Sequence, residues 1–246
     1  MSEIQGTIEE FINLFKELSY GKNEFQVWID LIDCMAVAIS NRVDKKHYDA
    51  REKVYLDAIK RFDDPSKVAM AIPILAIALE NNPNQDFLGK VCQTLGLLSS
   101  MKAQFFTPMS VSGLMANLQL DVADVKQKVA EQGYITICDP ACGAGSTMIA
   151  AADILRCIDG FNYQTQALFI GCDIDPLVAK MCYIQLSLLG CPGYVVVTDT
   201  LTNPTEGDPL LPVIKEDQDY WFTPMFFASG WTMRRKFHQI SNLFRS

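Results

Sequence analysis

Apolar residues recur at helical spacing from the start of the chain. Ile8, Phe11, Ile12, Phe15 and Leu18 fall on one helical face, and Phe25, Trp28, Leu31, Ile32, Met35 and Ala36 repeat the pattern in the next segment. Further helices are predicted over 48–62, 65–79 and 84–98, with Asp64-Pro65-Ser66 and Asn81-Asn82-Pro83-Asn84 supplying turns and caps. From Tyr134 the period changes. Short β-branched runs at 134–138 (YITIC), 167–172 (ALFIGC) and 194–197 (YVVV) alternate with helical stretches at 146–158 and 176–189. Strands alternating with helices predict right-handed βαβ units and a parallel sheet covered on both faces. The pattern divides the chain into a helical N-terminal region, 1–100, and an α/β domain, 101–246, with no internal repeat and no low-complexity linker.

Composition narrows the possible roles. With 49% hydrophobic residues the chain can bury enough surface to order itself, so general disorder is excluded. The balance of 21 Lys+Arg against 29 Asp+Glu gives a net charge of −8, which repels phosphate; any contact with DNA is expected to be local, or shared with a partner. The N-terminus carries Glu3, Glu9 and Glu10 and no basic segment ahead of an apolar run. The longest apolar stretch, 68–79, is too short to span a bilayer, so a cytoplasmic protein without membrane attachment is expected. Eight cysteines at irregular spacing, with no C-x-x-C, read as reduced thiols serving as small hydrophobes. Two histidines, His47 and His238, make a His-rich metal site unexpected.

The residues that carry chemistry follow the predicted strands, where ligands of parallel sheets bind. After the first come Asp139-Pro140-Ala141-Cys142-Gly143-Ala144-Gly145-Ser146, in which Gly143 and Gly145 allow a tight turn and close approach of a ligand to backbone N–H groups. After the second come Asp173-Ile174-Asp175-Pro176, an acid placed to accept from a ribose diol. After the third come Thr198-Asp199-Thr200-Leu201. A nicotinamide dinucleotide fits poorly: Met148 stands where a third glycine is required, and Asp139 would repel a pyrophosphate while favouring an amino group.

With Gln104-Phe105-Phe106-Thr107-Pro108 upstream, together with Gln85-Asp86-Phe87-Leu88-Gly89 and the stretch 111–118 (VSGLMANL), the D-P-A-C-G-A-G run resembles the adenine-N6 DNA methyltransferases. The likeness is greatest to the modification subunits of type I restriction-modification systems, and it runs from about residue 84 to 202. It implies a class I, Rossmann-like methyltransferase core, a transferase role in DNA methylation and S-adenosyl-L-methionine as cofactor. By the same resemblance Phe106 and Thr107 would meet the methionine carboxylate end and Asp139 the methionine amino group. Pro140, Gly143 and Gly145 would shape the loop beside the cofactor, Asp173 would hold the ribose, Ile174 would pack on the adenine, and Asp199, with Leu201 nearby, would accept from the adenine amino group. Plainer readings compete: Asp139 and Asp173 as helix N-caps, and Thr107-Pro108 as an ordinary helix start.

The departure from the family lies in the loop that orients the target base, (N/D)-P-P-(F/Y), which the sequence lacks. Asn203-Pro204-Thr205 comes too soon after Asp199, and Phe222-Thr223-Pro224-Met225 lacks both the Asn and the second proline. The stretch after Asp199 is also too short for the strands that normally follow. The expectation is therefore an incomplete sheet, completed by a protein partner or a second copy, with DNA engaged weakly or through that partner. The alternative is a module that binds S-adenosylmethionine without turnover. The tail, with Arg234, Arg235, Lys236, His238 and Arg245, reads as an amphipathic helix with a solvated basic face or as a phosphate-contacting or partner-docking one; Trp221 and Trp231 are expected in the core.

Overall fold

The computed structural model describes residues 4–97 and 107–244. Helices α1 (Ile8–Ser19), α2 (Glu24–Ser40) and α3 (Tyr48–Ile59) come first; Thr7 and Asn23 cap the first two by accepting from the N–H groups of Glu10 and Gln26. The helix expected over 65–79 is two: α4 (Pro65–Val68) and α5 (Ala71–Asn81). Pro73 explains the break, since it has no N–H to bond Ala69 and is tolerated only in the first turn of a new helix. Helix α6 (Phe87–Thr94) is shorter than its apolar pattern because Asp86 caps it, and Leu98 lies outside the described residues.

Helices α7 (Met109–Gln119) and α8 (Val122–Gln132) lead into strand β1 (Ile135–Asp139). Then follow α9 (Ser146–Arg156), a short α10 (Tyr163–Gln166), β2 (Ala167–Asp173), α11 (Pro176–Leu188) and β3 (Gly193–Val197). Strands β1, β2 and β3 lie parallel in that order, with Asp139 beside Gly171 and Asp173 beside Val197. Beyond β3 the chain makes a small ribbon, β4 (Glu206–Asp208) with β5 (Leu211–Val213), and returns as β6 (Asp219–Phe222). Strand β6 runs antiparallel to β3, so the sheet is mixed and not purely parallel. The reason is local: parallel strands are usually joined by a crossover helix, whereas β3 and β6 are joined by loop and the β4–β5 ribbon, from which β6 returns beside β3 in the opposite direction. The strand covers the β3 edge that would otherwise be left open.

Alternation along the strands builds two cores. Phe169, Val195 and Trp221 face α9, α11 and the N-terminal helices, in one continuous apolar cluster. Leu168, Ile170, Tyr194, Val196, Tyr220 and Phe222 face the other way, against Leu210, Phe226 and Trp231. Helix α11 is buried nearly all round because it lies between the sheet on one side and α2 and α6 on the other. Each of its fully buried large side chains contributes about 1.5–3 kcal/mol, so this helix anchors the loops at its two ends. The C-terminal helix α12 (Ser229–Leu243) closes the second face through Trp231.

Among the described residues no disulfide joins any of the eight cysteines. Burial pushes the thiols of Cys34, Cys92 and Cys172 up to about 12, which keeps them neutral in the interior. No described helix is long and apolar enough to cross a membrane.

Candidate functional site

The loop after β1 is held at both ends by main chain. The Cys142 N–H donates to the Cys172 carbonyl at 2.8 Å, extending the β1–β2 ladder past the strands, and the Gly145 N–H donates back to the Cys142 carbonyl at 2.8 Å. Gly145 occupies the N-cap position of α9 at φ 99°, and a Cβ there would stand 2.8 Å from Cys182 Sγ. The sequence can therefore bring α9 this close to α11 only with glycine at that position. Gly143, at φ 52°, donates its N–H to Asp173 Oδ2 at 2.8 Å, which joins the first loop to the second.

The three carboxylates are each held in place by neighbouring donors. Asp139 accepts from the Ala141 N–H at 3.0 Å and from the Thr147 hydroxyl. Asp173 accepts from the Asp175 N–H at 2.9 Å through its other oxygen. Asp199 accepts from the Thr202 hydroxyl and the Leu201 N–H, which hold its carboxyl below the usual range. A carboxylate offers about four acceptor sites, so Asp139 and Asp173 retain capacity for a ligand's donors. Neither simply caps a helix: Gly145 stands at the N-cap of α9, and Asp175 caps α11 by accepting from Leu177.

These loops enclose a cleft of ≈ 500 Å³ whose walls include Pro140, Gly143, Asp173, Ile174, Asp199 and Leu201. That volume lies within the range of about 300–1,000 Å³ usual for small-molecule pockets. Ile174 and Leu201 are largely exposed at its mouth, offering apolar surface for a flat ring. Pro140 also borders a second cavity of ≈ 220 Å³ between α7 and α9, where Asp139 and Thr147 meet Ser112 and Met148. Thr107, half-buried, directly precedes Pro108 at the N-cap of α7. Phe106 lies outside the described residues, as do Gln104 and Phe105. The arrangement suits a ligand presenting hydroxyl and amino donors, and three acids disfavour a polyphosphate. Among the described residues no group of His, Cys, Asp or Glu converges as a metal site.

Of the two substitutes for the missing base-orienting loop, Asn203 lies beside the cleft, its N–H donating to the Asp199 carbonyl at 2.7 Å, and Thr223 lies far from it. The Asn203 carboxamide is engaged by Asp217 and Lys215, at 2.9 and 3.0 Å. Thr223 is fully buried at the opposite end of β3, where its hydroxyl donates to the Cys191 carbonyl at 2.8 Å and accepts from the Gly193 N–H at 3.0 Å. The basic tail is largely committed to packing. Arg234 donates to the carbonyls of Thr165 and Gly133 and stacks on Trp231, while Arg235 lies 3.9 Å over Phe226 and donates to its carbonyl. Arg245 lies outside the described residues.

One participant was not singled out from the sequence. Gln185, on α11, bonds both Asp86 and the Ala144 carbonyl, and a lone amide in the apolar run CYIQLSLL was the available signal.

Comparison with known proteins gives one family: the profile of the N-6 DNA methylases matches residues 87–241. A solved Listeria monocytogenes protein assigned to the class I S-adenosylmethionine-dependent methyltransferases aligns at 16% identity and a TM-score of 0.45, covering 94% of this chain and 78% of that one. No curated protein matches.

Proposed function

Because the chain belongs to the N-6 DNA methylase family, whose methyl donor is S-adenosylmethionine, we propose that it binds this cofactor in the ≈ 500 Å³ cleft and acts in adenine-N6 methylation of DNA. The observation that carries the proposal is the row of Asp139, Asp173 and Asp199 at the carboxyl ends of three parallel strands, each preset by neighbouring donors. Asp173 would accept from the ribose hydroxyls and Asp199 from the adenine amino group. Asp139, in the adjoining ≈ 220 Å³ cavity that shares Pro140 with the cleft, would accept from the methionine amino group, with Thr107 at the carboxylate end. Ile174 and Leu201 would flank the ring. The bound cofactor supplies an activated methyl group on a sulfonium. The chain contributes alignment and exclusion of water, which account for much of the rate in such transfers.

The chain is read further as a counterpart of type I modification subunits that works with a partner. A net charge of −8, a basic tail occupied by packing and an Asn203 bound to Lys215 and Asp217 all favour a second protein that supplies DNA affinity and the base-orienting group. The same Asn203 contacts favour a second reading, a module that binds the cofactor without turnover. The test is transfer of tritium from labelled S-adenosylmethionine to unmethylated DNA, by the chain alone and with proteins that copurify with it from its native host. Transfer only in the complex supports the first reading. Cofactor binding with no transfer in either case supports the second, and no binding at all refutes both.

A further inference from the structure

We infer that Gln185 is a positioning residue: its buried amide fastens the glycine loop of the cofactor cleft to the start of α6, so that the N-terminal helices set the loop's position. This rests on the reading of the cleft as the cofactor site. Gln185 is 0% exposed, in the middle of α11. Its Nε2 donates to the Ala144 carbonyl at 2.9 Å and to Asp86 Oδ1 at 2.9 Å, while its Oε1 accepts from the Leu88 N–H at 3.1 Å. The amide's two donor hydrogens and its oxygen are thereby all engaged.

Both anchors matter for the site. Ala144 is buried between Gly143, which donates to Asp173, and Gly145, which opens α9; its carbonyl lies ahead of the helix and needs a partner from elsewhere. Asp86 is buried too. It caps α6 by accepting from the Gly89 N–H at 2.9 Å, and a Cβ at Gly89 would collide with its carboxylate. A fully satisfied polar cluster inside an apolar core fixes geometry more tightly than apolar packing does, because every alternative arrangement leaves a buried group unpaired. The run Gln85-Asp86-Phe87-Leu88-Gly89 thus bears on the cleft without touching it.

The test uses the full chain and the Gln185→Met variant, similar in volume but without the three hydrogen bonds. The first readout is hydrogen exchange at the Gly145 N–H in ligand-free protein, and the second is affinity for S-adenosylhomocysteine. Leu75→Ala, in the buried core of α5, serves as a control that lowers global stability away from the loop. Gln185→Met is expected to speed Gly145 exchange, and to weaken binding, by about tenfold relative to that control, the effect of one lost charge-assisted hydrogen bond. Should Gln185→Met not fold, Asp86→Ala, which leaves Gln185 in place but removes its anchor, is expected to raise Gly145 exchange by about threefold. Exchange at Gly145 no faster than in Leu75→Ala overturns the inference. Failure of the wild type to bind S-adenosylhomocysteine refutes the cofactor reading instead, and Gly145 exchange still decides the role of Gln185.

Discussion

Replacing Gly145 by alanine tests the packing that shapes the cofactor loop. At φ 99° an L-residue is in the left-handed region, at a cost of about 1–2 kcal/mol. The new Cβ would also stand 2.8 Å from Cys182 Sγ and 3.4 Å from the Cys182 Cα and Cβ. Cys182 is fully buried and its sulfur already rests 3.9 Å from Met148 Sδ, so it has little room to withdraw, and overpacking of this kind costs about 1–3 kcal/mol. The sum is a loss of about 2–5 kcal/mol, measurable by urea unfolding followed by circular dichroism. The two parts separate in a Cys182→Ala background, where the clash is relieved and the backbone cost remains, so Gly145→Ala should cost only about 1–2 kcal/mol there. A loss below about 0.5 kcal/mol, or the same loss in both backgrounds, would refute this account of the loop.

Further predictions follow from individual contacts. Asp139→Ala removes the acceptor assigned to the methionine amino group, and titration calorimetry should find affinity for S-adenosylhomocysteine reduced by about tenfold or more; unchanged affinity would show that group to be bound elsewhere. Arg51→Met strands the buried carboxylate of Asp44, which Arg51 bonds at 2.9 Å, and removes the guanidinium 4.0 Å over Trp221. Unfolding should become easier by about 3–5 kcal/mol, toward the lower end because His47 Nδ1 also lies 2.8 Å from Asp44. For Asp86, burial raises the carboxyl above its ordinary 3.8 in the folded state, despite the bonds from Gln185 and Gly89. Its contribution to stability is therefore complete below pH 3.8 and is lost as pH rises through the folded value, the sense opposite to that of a salt-bridged acid. Comparing wild type with Asp86→Asn across pH should move the difference in the variant's favour as pH rises above 3.8; a flat difference would contradict the assignment.

The strands were legible because β-branched runs between helical stretches have few other solutions, and the acids after them follow from the rule that ligands bind at carboxyl ends. Periodicity did not resolve the break at Ala69 and Met70, ahead of Pro73, since an apolar stripe continues across it on both sides. The direction of β6 was also hidden: Asp219-Tyr220-Trp221-Phe222 reads the same in either sense, and only the ribbon before it, in place of a crossover helix, makes the strand antiparallel. Gln185 escaped because a single amide among apolar neighbours reveals a buried partner but not its identity. Asp86, one of those partners, lies far away in sequence.

The loops after the three parallel strands line one cleft, with Asp173 and Asp199 in its walls and Asp139 in the adjoining cavity, and the reading that this is the cofactor site can be tested directly. The most direct measurement is titration calorimetry of the full chain with S-adenosylhomocysteine, with NAD as comparison and Asp173→Ala as variant. One saturable site per chain is expected for S-adenosylhomocysteine, with no heat from NAD and loss of the site in Asp173→Ala. Binding of NAD alone, or S-adenosylhomocysteine binding unchanged in Asp173→Ala, would contradict it.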